Sequence, residues 1–196
     1  CQRATLISLM NTEDLEGVQM SSQIGNKLKV SVFGESHGNG IGAVIDGFPA
    51  GVEINSEELL AFMKWRAPAL DKTATPSKKS DLPSALSGIL GNTTCGTPIA
   101  AVIANNDQHS GDYRNVASVA RPGHADYTGF VRYNGFNDVR GGGHFSARLT
   151  APIVFAGGLC LQYLAQRGIY IGAHLLSDGS ASDDSFDSVN VTPEQL

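Results

Sequence analysis

The stretch Leu28-Lys-Val-Ser-Val-Phe-Gly-Glu-Ser-His-Gly-Asn-Gly-Ile-Gly-Ala-Val-Ile-Asp-Gly-Phe-Pro-Ala-Gly51 decides between two fold classes. Its first six residues alternate apolar and polar side chains, the period of a half-buried strand, and lead into the glycine-rich loop Gly34 to Gly42. Gly38, Gly40 and Ala43 satisfy the dinucleotide fingerprint G-x-G-x-x-G/A, but that fingerprint requires a helix next. Gly47, Pro49 and Gly51 follow instead, and two glycines and a proline exclude the helix. The reading is therefore strand, loop, strand, and a Rossmann nucleotide site is rejected.

Working outward, Asn55 with Glu58 three residues later resembles a capping box, and Leu59, Phe62 and Met63 form the apolar face of a helix ending before Pro68. Residues 67–84, rich in Pro, Ser, Thr and Lys, read as a long loop. Ser87 to Leu90 and Pro98 to Ile103 read as scaffold strands joined through a Gly91-Asn92 turn. Thr150 and Pro152 predict the N-cap and first turn of a second helix along Ile153 to Leu164, stopping at Gly168. That helix is apolar almost all round, so protein must cover it. Ile169 to His174 reads as a final strand in which His174 is structural. His109 reads as an exposed residue of a polar loop. Short strands outnumber helices and no repeat is visible, which predicts a layered α+β domain.

The 196 residues are 41% hydrophobic and 17% charged, enough for one domain with a sizeable core. A net charge of -5 and a pI near 5.4 argue against a dedicated nucleic-acid binder. No uninterrupted apolar run reaches membrane-spanning length. Three widely spaced cysteines, Cys1, Cys95 and Cys160, indicate neither a disulfide framework nor a zinc site, and a reducing cytoplasm fits them. Residues 1–19 show no signal-peptide pattern; Met20 is a candidate start, which would leave 1–19 as a disordered extension.

Charge is unevenly spread. Lys64, Arg66, Lys72, Lys78 and Lys79 against Asp71 form a basic patch suited to focusing an anionic small molecule. In Asp138-Val-Arg-Gly-Gly-Gly-His-Phe-Ser-Ala-Arg148, three glycines can turn N–H groups toward one point while Arg140 and Arg148 supply planar cationic forks. Arg121-Pro-Gly-His-Ala-Asp126 presents His124 between a cation and a carboxylate, a setting for acid–base work. His37, His124 and His144 with Arg66, Arg121, Arg140 and Arg148 suit proton transfer and departure of phosphate from a polyanion. A metal site of Glu35, His37, His124 and Asp126 is the weaker reading, because E-x-H and H-x-D are short, common pairs; no metal is expected.

Four segments in order, Phe33-Gly-Glu-Ser-His-Gly38, Asp46-Gly-Phe-Pro-Ala-Gly51, Arg121-Pro-Gly-His-Ala-Asp-Tyr127 and Arg140-Gly-Gly-Gly-His-Phe-Ser-Ala-Arg148, resemble chorismate synthase. Leu86-Ser-Gly88, Gly96-Thr-Pro-Ile99 and Asp112-Tyr113 fall where that family has similar segments, and the resemblance runs from about Lys27 to His174. It implies a β-α-β sandwich with helices packed between antiparallel sheets. It also implies anti-1,4-elimination of phosphate from 5-enolpyruvylshikimate 3-phosphate to give chorismate, with reduced FMN required and NADPH a candidate flavin reductant. His37 and His124 match the family's acid–base histidines, and Arg66 and Arg148 its substrate-binding arginines. Arg121 and Arg140 flank the same anion site, and Lys72 stands where relatives carry a basic residue. His144, Phe145 and Ser146 match the flavin-contacting segment. A cytoplasmic homotetramer is implied, with no membrane or nucleic-acid partner.

The chain departs from the family pattern at Trp65 and Ala69, at Ser77 and Lys79, and at His144-Phe145, which replaces Arg-Ser. Thr192-Pro-Glu-Gln before Leu196 reads as the start of another helix. Residues 20–196 are accordingly expected to be the N-terminal part of a single domain whose C-terminal part is missing. The alternative is a truncated, non-catalytic flavin- or phosphate-binding remnant.

Overall fold

The computed structural model describes residues 22–66, 81–105, 119–173, 175 and 177–182. The expectations for residues 1–19, for Lys72 and most of its loop, for His109 and for His174 lie outside these residues. The elements in order are β1 (Gln23–Ile24), β2 (Lys29–Gly34), β3 (Gly40–Asp46), α1 (Ser56–Arg66), β4 (Pro83–Ser87), β5 (Ile89–Leu90) and β6 (Thr93–Thr94). Then follow β7 (Ile99–Ala104), α2 (Asp126–Arg132), two 3-10 turns (Arg140–Phe145 and Ala147–Leu149), α3 (Thr150–Ala165), β8 (Ser177–Asp178) and β9 (Ala181–Ser182). The fold is α+β. One antiparallel sheet in the order β1-β2-β3-β7-β4 carries α1 and α3 on one face.

Alternation explains which face they cover. β3 and β7 pair with Ile41 opposite Ile103, Ala43 opposite Ala101 and Ile45 opposite Ile99, and all six side chains are buried beneath the helices. Leu59 and Met63 of α1 and Phe155, Ala156 and Leu159 of α3 complete the core, with Phe48, Val52 and Ile54 closing one end. The two helices approach closely because α3 has glycine where they meet: a Cβ on Gly158 would stand 2.5 Å from Leu59 Cδ1. Polar ties set the angle at which the chain enters α1. Asn55 N–H donates to Gln162 Oε1 at 2.8 Å, and Gln162 Nε2 donates back to Asn55 O at 2.9 Å. Asn55 Oδ1 caps α1 as its sequence suggests, accepting from Glu57 N at 3.1 Å and Glu58 N at 3.2 Å.

Several local expectations are corrected. The strand expected at Ser87 begins at Pro83 and is broken at Gly88, whose positive φ turns the chain; Ile89–Leu90 then form a hairpin with Thr93–Thr94. Thr150 is not a cap. Its Oγ1 donates to Ala147 O at 2.6 Å, and Ser146, one short 3-10 turn earlier, takes the capping position by accepting from Arg148 N at 3.3 Å. Ile169 to Ala173 form no strand: alternating apolar residues define a strand only when a partner edge is present, and none lies alongside them among the described residues. Arg140–Ala165 is long and apolar enough, with a mean hydropathy of 1.2, to be weighed as a membrane span. Only its 16 residues of α3 are continuous α-helix, shorter than the roughly 20 needed to cross a bilayer.

Leu159, fully buried where α3 meets the sheet, is the core's most direct test. Leu159→Ala is expected to lower unfolding free energy by about 3 kcal/mol, measured by urea denaturation with an unchanged m-value.

Candidate active site

Two loops more than a hundred positions apart meet at the end of β2 and build the site. Gly141, Gly142 and Gly143 all have positive φ, which lets the chain coil tightly after Arg140. Their carbonyls, rather than their N–H groups, make the contact. Ser36 N donates to Gly143 O at 3.2 Å, and Ser36 Oγ–H is shared between Arg140 O at 3.2 Å and Gly141 O at 3.1 Å. The triglycine expected to gather an anion by its N–H groups is thus a seat for the Ser36–His37 loop. His37 lies so close that a Cβ on Gly141 would stand 2.3 Å from its ring.

The same contact holds the His37 ring: Ser36 Oγ lies 2.9 Å from His37 Nδ1, and the pairing in which Ser36 gives its proton to the carbonyls and accepts from Nδ1–H is the one that leaves Nε2 as the basic nitrogen. His144 is held similarly: Nδ1–H donates to Gly34 O at 2.9 Å, and Nε2 faces Ser22 Oγ at 2.7 Å. Asn105, at the end of β7, braces the loop from below, donating through Nδ2 to Glu35 O at 3.1 Å and Gly38 O at 2.9 Å.

The four arginines singled out from sequence, Arg66, Arg121, Arg140 and Arg148, are each paired with an aspartate. Arg140 forms a two-pronged pair with Asp138 at 2.7–3.1 Å; hydrogen bonding from Arg140 lowers the Asp138 pKa, and Asp138 raises that of Arg140. Arg121 does the same with Asp126, at 2.8 Å through Nε and 2.9 Å through Nη2. Arg66 and Arg148, from the end of α1 and the start of α3, share Asp81. Arg148 is buried; its Nε donates to Asn105 Oδ1 at 3.2 Å, and its Nη2 has no hydrogen-bond partner among the described residues. Asp81, Asn105 and Ser36 were not singled out from sequence as site residues. For Asp81 the only signal is a carboxylate directly after a basic loop; for Asn105, an amide at a strand end.

Of the sequence-predicted residues, His37, Arg140, His144 and Arg148 come together around this loop seam, joined by Arg66 through Asp81. Among the described residues no hydrogen bond joins His124 to them. It is exposed on the Arg121–Asp126 turn, and its Nδ1 bonds Pro122 O at 3.2 Å. Phe145 and His144 line a cavity of about 480 Å3 with Phe33, Tyr133, Arg132 and Asn137, whereas Ser146 is engaged as the helix cap. Asn137 Oδ1 is buried with no hydrogen-bond partner among the described residues. Gly129 of α2, a helix not anticipated from sequence, lets the Phe145 ring pack close: a Cβ there would be 2.9 Å from Phe145 Cε2. A larger hollow of about 1270 Å3 between α1 and α3 is lined by no histidine or arginine. Among the described residues no three His, Cys, Asp or Glu side chains gather to hold a metal.

Fold and site together define an α+β protein whose histidine-bearing loop is braced by paired arginines, beside an aromatic cavity. The family model for chorismate synthase matches residues 28–195. Similar curated proteins are the chorismate synthase of Thermococcus kodakarensis, 40% identical over 88% of this chain and 46% of its own length, and that of Desulfovibrio desulfuricans, 48% identical over 75% and 40%. A crystal structure of chorismate synthase superposes with a TM-score of 0.58 and 29% identity, covering 81% of this chain and 40% of that one. The chain belongs to the chorismate synthase family, and it spans less than half the length of these relatives.

The Arg121 hydrogen bonds hold the Asp126 carboxyl down to about 2, against 3.8 ordinarily. A carboxyl depressed in the folded state contributes stability that is complete above the unfolded pKa and is lost as pH falls through the folded value. Acid unfolding should therefore show a component between about pH 4 and pH 2 that Asp126→Asn removes, followed by circular dichroism across that range.

Proposed function

We propose that this chain carries out, as part of a chorismate synthase, the anti-1,4-elimination of phosphate from 5-enolpyruvylshikimate 3-phosphate. The observation that carries this reading is the seating of His37 on the triglycine segment, with Ser36 hydrogen-bonded to its Nδ1 and with Arg148 tied to the same loop through Asn105. In the reaction a C–O bond to phosphate and a C–H bond on the opposite side of the ring both break, with no net oxidation. His37, with Nε2 as its basic nitrogen, and His124, exposed on its own turn, are the proposed acid–base residues. Arg66, Arg121, Arg140, Arg148 and Lys72 are the proposed cationic surround; the departing phosphate gains negative charge, which fixed guanidiniums stabilise.

The 480 Å3 cavity suits a flavin. Phe33, Tyr133 and Phe145 offer apolar faces, Arg132 a cation, and the unpartnered Asn137 Oδ1 an acceptor for a ring N–H. Reduced FMN, when bound, supplies electron density that assists loss of phosphate. His144 and Phe145 are proposed to hold it from this cavity; Ser146 contributes by capping the adjoining turn. NADPH as flavin reductant, a homotetrameric assembly and a cytoplasmic location complete the proposal.

Anaerobic phosphate release by the encoded protein, dependent on both reduced FMN and the enolpyruvyl substrate, tests it. No release from folded, flavin-loaded protein overturns the enzyme reading and leaves the binding-remnant alternative. His124→Ala is expected to lower turnover about a hundredfold while flavin affinity, from fluorescence titration, stays within about threefold.

A further inference from the structure

Two guanidiniums share one carboxylate at Asp81, and the three side chains are not equivalent. Every nitrogen of Arg66 is occupied: Nε donates to Thr150 Oγ1 at 2.7 Å, Nη2 to Ala147 O at 3.1 Å, and Nη1 to Asp81. Arg66 therefore ties the end of α1 to the start of α3. Among the described residues Arg148 is gripped on two edges, by Asp81 at Nη1 and by Asn105 at Nε, and its buried Nη2 has no hydrogen-bond partner. A buried guanidinium donor without an acceptor is costly, and an anionic oxygen is the acceptor that suits it best.

We propose that Asp81 is a positioning residue: together with Arg66 it fixes the plane of the Arg148 guanidinium so that Nη2 is kept for an anionic group of the substrate. This rests on the reading of Arg148 as a substrate ligand. Asp81 is itself nearly inaccessible, with 6% of its side chain exposed, so it holds the arginines from behind and is not a surface counter-ion. Because Asn105 also braces Glu35 and Gly38, the orientation imposed by Asp81 is keyed to the loop that carries His37.

Charge and positioning predict opposite outcomes when the carboxylate is removed. Asp81→Asn adds one unit of positive charge beside two guanidiniums, which by Coulomb attraction alone tightens phosphate binding. If Asp81 positions Arg148, binding weakens instead. Inorganic phosphate is titrated into the protein by calorimetry and by NMR of the arginine Nε–Hε signals. Phosphate is expected to shift the Arg148 signal in the parent protein. Asp81→Asn is expected to weaken binding about tenfold. Asp81→Glu, which restores the charge but not the reach, should fall between the two. Should Asp81→Asn fail to fold, Arg66→Lys, which keeps the charge and loses the fork, is expected to weaken binding about threefold. Equal or tighter binding by the variant that folds, or an Arg148 signal indifferent to phosphate, overturns the proposal. Absence of elimination activity with these shifts intact would refute the proposed reaction alone. Normal elimination with an unchanged KM in Asp81→Asn would refute the positioning role alone.

Discussion

The docking of the Ser36–His37 loop onto glycines 141–143 is the constraint on which the site depends. It is made by carbonyl acceptors that only a left-handed coil of backbone can present, and it tolerates no side chain. A Cβ at Gly141 would enter the His37 ring, and one at Gly143 would stand 2.0 Å from Asp138 O. The three positive-φ residues thus have two functions, shaping the turn and clearing the space into which His37 fits. The hydroxyl of Ser36 links that backbone geometry to the imidazole through its hydrogen bond with His37 Nδ1.

The sheet and helices hold this seam in place. β2 ends at Gly34, β7 ends just before Asn105, and α3 starts two residues after Arg148, so three rigid elements deliver their ends to one region. The core beneath them, from Ile41 to Leu159, is apolar and closely packed, and it fixes where these ends emerge. Burying Arg148 beside that core is costly for a charge, which explains why it is gripped by a carboxylate and an amide together. Buried Asp126 is paired with Arg121 for the same reason, whereas Arg140 and Asp138 form a more exposed local pair. A cluster of arginines that sequence presents as open anion receptors is, once folded, largely a set of internal ion pairs.

The fold was legible wherever a local rule had no competitor. The strand-loop-strand reading of residues 28–51, the Asn55 cap and the two long helices follow from alternation, capping and glycine placement. Local rules fall short where a partner must be known: Thr150 loses the cap to Ser146, Ile169 to Ala173 meet no neighbouring edge among the described residues, and α2 is short and contains Gly129. At the site, His37, His144, Arg140 and Arg148 were recognisable from residue type and motif, and the resemblance to the family rests on the same segments. Ser36, Asp81 and Asn105 were passed over because nothing about a serine, an aspartate or an asparagine in isolation shows which distant carbonyl or guanidinium it will meet.

Residue order alone determined that this chain makes an antiparallel α+β layer rather than a nucleotide-binding one, because Gly47, Pro49 and Gly51 forbid a helix after the glycine-rich loop whatever surrounds it. It also determined that basic and imidazole groups would cluster with glycine-rich turns. Tertiary structure decided how they are used: where the Ser36–His37 loop is seated and that Arg66 and Arg148 share Asp81. Those outcomes depend on hydrogen bonds between residues 15 to 105 positions apart, and such bonds exist only after the sheet and helices have brought their ends together, whereas the Arg121–Asp126 and Arg140–Asp138 pairs are local.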